Sequence, residues 1–212
     1  MAMAATLELD DIQGLVARGY SSLKAASFLM LEISDPQAAR RSLGQLALRV
    51  TDGRSEPAAT AVNVAFTSDG LRRLGVETPG IDGFPEEFVS GMSEANRSRF
   101  LGDTGPNAPL RWEWGGPATR PVHLLVLTYA QDEQRLEELE AEIHRELLAT
   151  GGLVEAVRLR TSRLGEREPF GFRDGISQPL MEGLSKATAV REGDGGSRTG
   201  HQGGGIRARL PQ

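Results

Sequence analysis

The chain contains two kinds of hydrophobic pattern, one with the two-residue period of strands and one with the longer period of helices. Residues 27–33 and 122–129 are nearly continuous apolar runs, whereas residues 61–66 and 153–160 alternate between apolar and polar positions. Because successive side chains of a strand point to opposite faces, these four segments predict strands of which at least two have one polar face.

Helices are predicted between these strands. Asp35 and Pro36 form a typical start, with a capping side chain followed by proline at the first helical position, and that helix continues to about Arg49. The strongest helical pattern covers residues 132–150, which have one apolar stripe and charged residues on the other faces of the helix. Gly151 follows directly and is expected to end it. Two shorter helical segments are predicted at residues 68–74 and 84–92.

The predicted order is strand, helix, strand, a long connection, then strand, helix, strand. Two such halves predict a ferredoxin-like sandwich of the α+β class, with an antiparallel sheet covered by helices on one face and open to a partner on the other. We place this domain at residues 1–163. Residues 101–121, within the connection, predict a long ordered loop pinned by Trp112 and Trp114; surface electron transfer is the alternative role of these tryptophans.

Composition narrows the classes of function. Hydrophobic residues make up 39% of the chain, charged residues 25%, and the net charge is -5. Nucleic-acid binding is not expected, because the body of the chain lacks a basic stripe. The lack of cysteine excludes disulfides, thiolate nucleophiles and cysteine-ligated haem or zinc. No apolar run approaches the ~20 residues of a membrane helix, and residues 1–11 do not resemble a secretory signal, so a cytoplasmic location is expected.

One segment after the fourth strand combines chemically active residues with glycines. Residues 171–175 read Gly-Phe-Arg-Asp-Gly, so two glycines frame Arg173 and Asp174. Glycine lets the backbone turn sharply and lets a flat ligand come close, and Phe170 and Phe172 could add apolar contact. A carboxylate in such a position would be partly desolvated and suited to proton transfer. The other interpretation is an Asp-Gly turn with a neighbouring salt bridge.

The same segment resembles a family signature. Residues 170–179 read Phe-Gly-Phe-Arg-Asp-Gly-Ile-Ser-Gln-Pro, which resembles the Gly-x-x-Asp-Gly signature of the dye-decolorizing haem peroxidases. The resemblance extends over about residues 9–185, and the paired ferredoxin-like domains of that family agree with the fold predicted from the hydrophobic pattern. Four other segments resemble parts of the family in the same order, at residues 9–20, 63–67, 101–105 and 112–115.

The resemblance implies a b-type haem, hydrogen peroxide as oxidant and an aromatic or dye-like organic reductant. Asp174 occupies the position of the family's distal aspartate, which is thought to move a proton between the two oxygen atoms of bound peroxide. The resemblance implies that six neighbouring residues contact the haem: Gly171, Phe172, Arg173, Gly175, Ile176 and Ser177.

The end of the chain departs from the family pattern. The family's proximal histidine and distal arginine belong to a C-terminal domain beyond the signature, but only 37 residues follow Gly175. We expect residues 164–185 to form a haem-facing loop. Residues 186–212 contain seven glycines and few large apolar side chains, which predicts a disordered tail. One hypothesis is a truncation or a reading-frame change near Lys186, which would leave this chain inactive by itself.

The three histidines offer no convincing iron ligand. His123 begins an apolar strand, which favours a structural role. His144 lies one helical turn after Glu140, a pair that could bind a surface metal, although a solvated charged face is the simpler interpretation. His201 lies in the glycine-rich tail. We therefore expect no metal ligand from this chain.

Two other interpretations use different residues or a different class of function. Residues 103–105 read Asp-Thr-Gly, the triplet of aspartic proteases, but that chemistry needs a second carboxylate and Pro106 follows directly. The alternative to an enzyme is a haem-free ferredoxin-like module, whose exposed sheet face would bind partners or form a homo-oligomer.

Overall fold

The computed structural model describes residues 7–76, 83–161 and 170. Four strands and six helices lie in these ranges, together with two short 3-10 turns at Gly105–Asn107 and Pro109–Arg111. In chain order the elements are α1 (Gly14–Ala17), β1 (Ala25–Ile33), α2 (Pro36–Ala47), β2 (Thr60–Phe66), α3 (Ser68–Arg73), α4 (Glu86–Ser90), α5 (Ala95–Leu101), β3 (Leu124–Ala130), α6 (Glu133–Leu148) and β4 (Leu153–Arg160).

The four strands form one antiparallel sheet in the order β2-β3-β1-β4. Each βαβ half therefore places one strand of the other half between its own two strands, as in a ferredoxin-like sandwich. The register between β1 and β4 shifts between Met30 and Leu31, so that one extra residue of β4 bulges out there. The α+β ferredoxin-like fold expected from the sequence is confirmed.

Side-chain caps fix where the helices begin. The Asp35 carboxylate accepts hydrogen bonds from the backbone nitrogens of Gln37 (2.8 Å) and Ala38 (3.1 Å) at the start of α2. Asp132 does the same for Arg135 (2.9 Å) at the start of α6. Both caps satisfy backbone donors that have no partner within the helix. Helix α2 thus begins where the sequence predicts.

The core lies between the sheet and the two long helices, α2 and α6. Every second residue of β1 and β3 faces the helices, and the apolar stripe of α6 packs against them. Burial of such side chains, at about 1.5–3 kcal/mol each, is the main force that holds helices to the sheet. The largest fully buried apolar side chains are Leu31, Ile33, Leu124, Val126, Leu136, Ile143 and Leu147.

Residues 9–24 cover part of the opposite face of the sheet. Tyr20 packs edge-on against Tyr129, with ring centroids 5.1 Å apart, and donates a hydrogen bond to Asn63 Oδ1 at 2.9 Å. Gln13 bonds both backbone groups of Val64 on the edge strand β2, each at 2.8 Å. An amide side chain that pairs with an edge strand in this way removes exposed donors and acceptors that would otherwise attract another strand.

The segment between α3 and β3 is built differently from the sheet, and we call its residues 83–121 the connection. Its helices α4 and α5 and both 3-10 turns place no large apolar side chain among the buried residues. The sequence did not predict α5, and it did not predict α1. The ordered loop expected at residues 101–121 contains the two 3-10 turns.

No helix in the part of the chain that the structure describes is both long and apolar enough to cross a membrane.

Candidate functional site

The residues expected to act on peroxide and haem lie outside the described residues. This applies to Asp174, to the six surrounding positions expected to contact haem, and to the loop and tail predicted at residues 164–185 and 186–212. Phe170, the residue before the signature, is 88% exposed. The roles of the signature residues therefore remain predictions from sequence.

The structure does fix the point from which the chain continues toward the signature. Thr161 follows β4 directly and is bonded to Ala26 at the start of β1: its backbone nitrogen donates to the Ala26 oxygen at 3.0 Å. The Ala26 nitrogen in turn donates to Thr161 Oγ1 at 3.1 Å. This reciprocal pair extends the β1–β4 ladder by one residue, ten positions before Gly171.

A network of charged side chains joins α6 to β4 just before that point. Glu140 of α6 is only 7% exposed, and both of its oxygens accept hydrogen bonds from Arg160. Arg158 lies 4.0 Å from Glu140 and 2.7 Å from Glu155. The hydrogen bond that Arg160 donates to Glu140 holds the pKa of Arg160 above its usual value. Charge-assisted hydrogen bonds from Arg160 offset the cost of burying the Glu140 carboxylate.

This network corrects the interpretation of His144 and Glu140 as one solvated face. His144 lies 3.0 Å from Glu155 of β4, whereas Glu140 points into the protein and pairs with Arg160. A sign was present in the sequence: Glu140 lies four residues after Leu136 and three before Ile143, and so falls on the apolar stripe of α6. A charged residue in that stripe needs a buried partner.

His123 has a structural role, as expected. Its side chain is buried, and Nδ1 accepts a hydrogen bond from the backbone nitrogen of Ile33 at 2.8 Å. Burial lowers the pKa of His123, and the nearby charge of Arg73 lowers it further. The ring is therefore neutral at pH 7, with its proton on Nε2, and is committed to holding β1 beside β3.

The two tryptophans expected to pin the connection differ. Trp112 donates a hydrogen bond from Nε1 to the backbone oxygen of Asn107 at 2.9 Å, so it does fasten the loop to itself. Trp114 is 41% exposed. Within the described residues, a hydrogen bond to the loop is thus observed for Trp112 and not for Trp114.

Two cavities lie beside α6 in the described part of the chain. The larger, about 710 Å³, is an open depression at the start of α6 lined by Asp132, Glu133, Gln134, Arg135 and Glu138. Its lining is entirely polar, unlike the apolar walls that flat organic cofactors require. The smaller, about 210 Å³, lies between the sheet and α6. No group of three or more histidine or acidic side chains in the described ranges is arranged to bind a metal ion.

Curated relatives share sequence with this chain over most of its length. The dye-decolorizing peroxidase msp1 of Mycetinis scorodonius is 31% identical over 200 residues, which cover 90% of this chain and 37% of that protein. Peroxidase 2 of the same organism is 30% identical, over 88% of this chain and 36% of its own length. The chain thus spans little more than a third of these relatives. No protein-family model matches the chain.

Solved structures agree in fold. An ancestral D-type dye-decolorizing peroxidase superposes with a TM-score of 0.67 at 25% identity, over 85% of this chain and 41% of that chain. The crystal structure of the enzyme from Auricularia auricula-judae gives a TM-score of 0.69 at 23% identity, over 84% and 40%. Fold and sequence together define the chain as a ferredoxin-like domain of the peroxidase type. Its curated relatives and structural neighbours are dye-decolorizing peroxidases, and the share of their length that it matches is consistent with an N-terminal portion of such proteins.

Proposed function

We propose that this chain is part of a hydrogen-peroxide-dependent haem peroxidase that oxidises aromatic or dye-like substrates. One observation carries the proposal: the match to the msp1 peroxidase takes in 90% of the 212 residues. A span of that length must include residues 171–177, wherever it starts. The matched span therefore contains the signature positions, which supports their interpretation as part of a longer similarity and not as an isolated motif.

Within this proposal Asp174 is the general acid–base that moves a proton between the oxygen atoms of peroxide. A carboxylate is suited to this task where glycines let it approach a bound ligand and where water is excluded. Gly171 and Gly175 shape the bend, Arg173 supplies a positive charge beside the carboxylate, and the remaining contacts to haem b come from Phe172, Ile176 and Ser177.

The described residues do not by themselves suit haem. Both histidines among them are engaged, His123 with the Ile33 backbone and His144 with Glu155. The larger cavity has only polar walls, and the smaller one is far too small for a porphyrin, which needs an apolar cleft of several hundred Å³. We therefore propose that the iron ligand and much of the haem pocket come from a region that this chain does not include, and that the chain alone is inactive.

The test is a chimera in which residues 1–185 replace the matching part of the msp1 peroxidase. We expect the chimera to bind haem and to bleach a dye in the presence of peroxide. Asp174→Asn in the chimera should lower kcat/KM at least about 100-fold, because loss of a positioned acid–base typically costs 10²–10⁴-fold. The matched control is Asp103→Asn, another carboxylate between glycines, which should leave kcat/KM within about twofold.

Two results would count against the proposal. A folded, haem-loaded chimera in which Asp174→Asn is as active as the parent would remove Asp174 from catalysis. A stoichiometric Soret band and dye bleaching by the 212-residue chain with haemin alone would show that the chain is not incomplete.

A haem-free interaction module is the second candidate, favoured by the apolar side chains that the connection exposes. It predicts no Soret band from the isolated chain and also none from the chimera. The chimera therefore separates the two candidates, whereas the isolated chain does not.

A further inference from the structure

The smaller cavity lies in the interior of the domain, between β1, β3, β4 and α6. Most of the surface that it exposes is apolar, with Leu29 and Ile143 in its lining, and four polar side chains complete its walls. Genuinely empty cavities in proteins are lined by apolar groups, whereas polar cavities of sufficient size hold water. The polar lining consists of Ser27, Thr128, Glu140 and Arg158.

Ser27 is the unusual member of this lining. It is 1% exposed, and its hydroxyl has no hydrogen-bond partner among the described residues. Leaving a buried hydroxyl unpaired costs about 1–3 kcal/mol, and such groups are rare in folded proteins. The neighbouring Thr128 hydroxyl donates to the backbone oxygen of Ser27 at 3.2 Å and makes no hydrogen bond with the Ser27 hydroxyl.

The acidic wall of the cavity also has spare bonding capacity. Glu140 accepts from Arg160, with Nε at 3.4 Å from Oε1, while Arg158 stands at 4.0 Å, beyond direct hydrogen-bond reach. A carboxylate has about four acceptor sites. The space in the cavity for the centre of a water-sized sphere is about 10 Å³, close to the minimum of about 10–15 Å³ for one water molecule.

We propose that this cavity binds one buried water molecule, which bonds the Ser27 hydroxyl and links it to the Glu140–Arg158 wall. Ser27, Thr128, Glu140 and Arg158 provide the two to four polar partners that an internal water needs. The water ties the centre of β1 to the charged network of α6 and β4, so that the polar groups inside the core form one connected set. This inference is independent of any role of the chain in peroxide chemistry.

The direct test is oxygen-17 magnetic relaxation dispersion of the 212-residue chain, which counts long-lived internal waters. Ser27→Val removes the hydroxyl and fills the cavity, so we expect the dispersion to lose the amplitude of one water per molecule. The matched control is Ser42→Ala, because the Ser42 hydroxyl is equally buried but bonds directly to the Leu147 oxygen (3.0 Å) and to Thr150 (2.8 Å). Its amplitude should equal that of the parent.

A stability measurement makes the test independent of how Ser27→Val folds. If water satisfies the hydroxyl, Ser27→Ala should lower Tm by about 2–4 °C, as loss of about one hydrogen bond does in a domain of this size. If the cavity is dry, the same change removes an unpaired group and raises Tm. A rise in Tm, an unchanged dispersion amplitude in Ser27→Val, or an empty cavity in a crystal structure that shows ordered water would each overturn the proposal.

Discussion

Two regions of the molecule place their apolar side chains in opposite ways. One is the sheet with its two long helices, and the other is the connection. Among the described residues, every large apolar side chain that is buried comes from residues 20–74 or 124–153. The connection contributes none, although it is not poor in such residues. It exposes between 41% and 89% of six of them: Phe84, Met92, Phe100, Leu101, Leu110 and Trp114.

The two regions are also held together by different forces. Hydrophobic burial and a continuous ladder of backbone bonds stabilise the sheet, whereas the connection is held mainly by short-range hydrogen bonds and caps such as Glu94 at α5 and Trp112 on Asn107. Because burial dominates folding free energy, most of the stability of the domain lies in the sheet and its helices. Exposed apolar groups in the connection are instead typical of a surface that meets a partner.

The largest expected contrast comes from truncating one apolar side chain in each region. Leu147→Ala should lower the free energy of unfolding by about 2–5 kcal/mol, because Leu147 is fully buried and a cavity remains. Phe100→Ala should change it by less than about 0.5 kcal/mol, because Phe100 is 89% exposed. Urea unfolding followed by circular dichroism measures both.

The same two variants can show that the two regions do not differ in this way. If Phe100→Ala cost as much as Leu147→Ala, the connection would contribute to the cooperative core, and its exposure in the structure would be incorrect. Leu48→Ala serves as the control outside the connection, since Leu48 is 82% exposed at the end of α2 and should also be neutral.

The next contrast tests the close contact between α3 and the residue before β3, which flank the connection on its two sides. A Cβ on Gly70 in α3 would lie 1.9 Å from the backbone oxygen of His123, at the start of β3. Because the obstacle is backbone, Gly70→Ala should cost about 1–3 kcal/mol or more, as overpacking does. Gly44 in α2 is the matched control: nothing lies within 4 Å of its Cβ position, so Gly44→Ala should gain up to about 1 kcal/mol from helix propensity.

Thermal unfolding of the two alanine variants distinguishes the outcomes by sign. Opposite shifts in Tm would confirm that α3 approaches the sheet as closely as described. Equal shifts would mean that α3 can move away from the backbone of His123 at little cost.

The sheet could be predicted from sequence, whereas the connection could be predicted only in part, namely α4 and the loop but not α5, for a physical reason. The helix Glu133–Leu148 carries a periodic apolar pattern because one of its faces is buried, and the strands are recognised from their apolar or alternating runs. Helix α5 has no apolar stripe, and its cap is Glu94, whereas sequence analysis looks for serine, threonine, aspartate or asparagine. Elements that are not held by burial leave no periodic signal.

The features of the candidate site could likewise be predicted from sequence only in part. The motif at residues 171–175 was found from its glycines and from its resemblance to a family, both of which are local features. The pairing of Glu140 with Arg160, and of His144 with Glu155, depends on how α6 lies across β4 and could not be derived from spacing along the chain. The unpaired hydroxyl of Ser27 likewise becomes visible only in three dimensions.

Helix caps give a smaller contrast of the same kind. The Asp35 carboxylate accepts from two backbone nitrogens at the start of α2, and the Glu94 carboxylate accepts from Asn96 and Arg97 at the start of α5, both at 2.9 Å. Asp35→Ala should lower global stability by about 1 kcal/mol. Glu94→Ala should instead open α5 locally, which amide hydrogen exchange at residues 95–101 would detect while the global transition stays unchanged.

The smallest expected effect is a change in how the free energy of unfolding depends on pH, and it comes from His123 at the start of β3. Burial and Arg73 lower the pKa of His123 in the folded protein below the ordinary value of 6.5. As pH falls below about 6.5, the unfolded chain takes up a proton that the buried ring does not, so the unfolded state is favoured. The loss of stability that is due to His123 stops once the pH is below the pKa of this ring in the folded protein. His123→Asn keeps an acceptor for the Ile33 nitrogen and removes the titrating group.

We therefore expect the parent to lose stability between pH 6.5 and the lowered folded pKa more steeply than His123→Asn, when both are unfolded with urea at a series of pH values. Above about pH 7.5 neither state of His123 binds a proton, so the two curves should run parallel there and provide an internal control. Parallel curves at acidic pH as well would mean that His123 is as accessible to protons in the folded protein as in the unfolded chain. The site where β1, α3 and β3 meet would then be open to solvent. The solvent-exposed region would in that case extend from the connection into this end of the sheet.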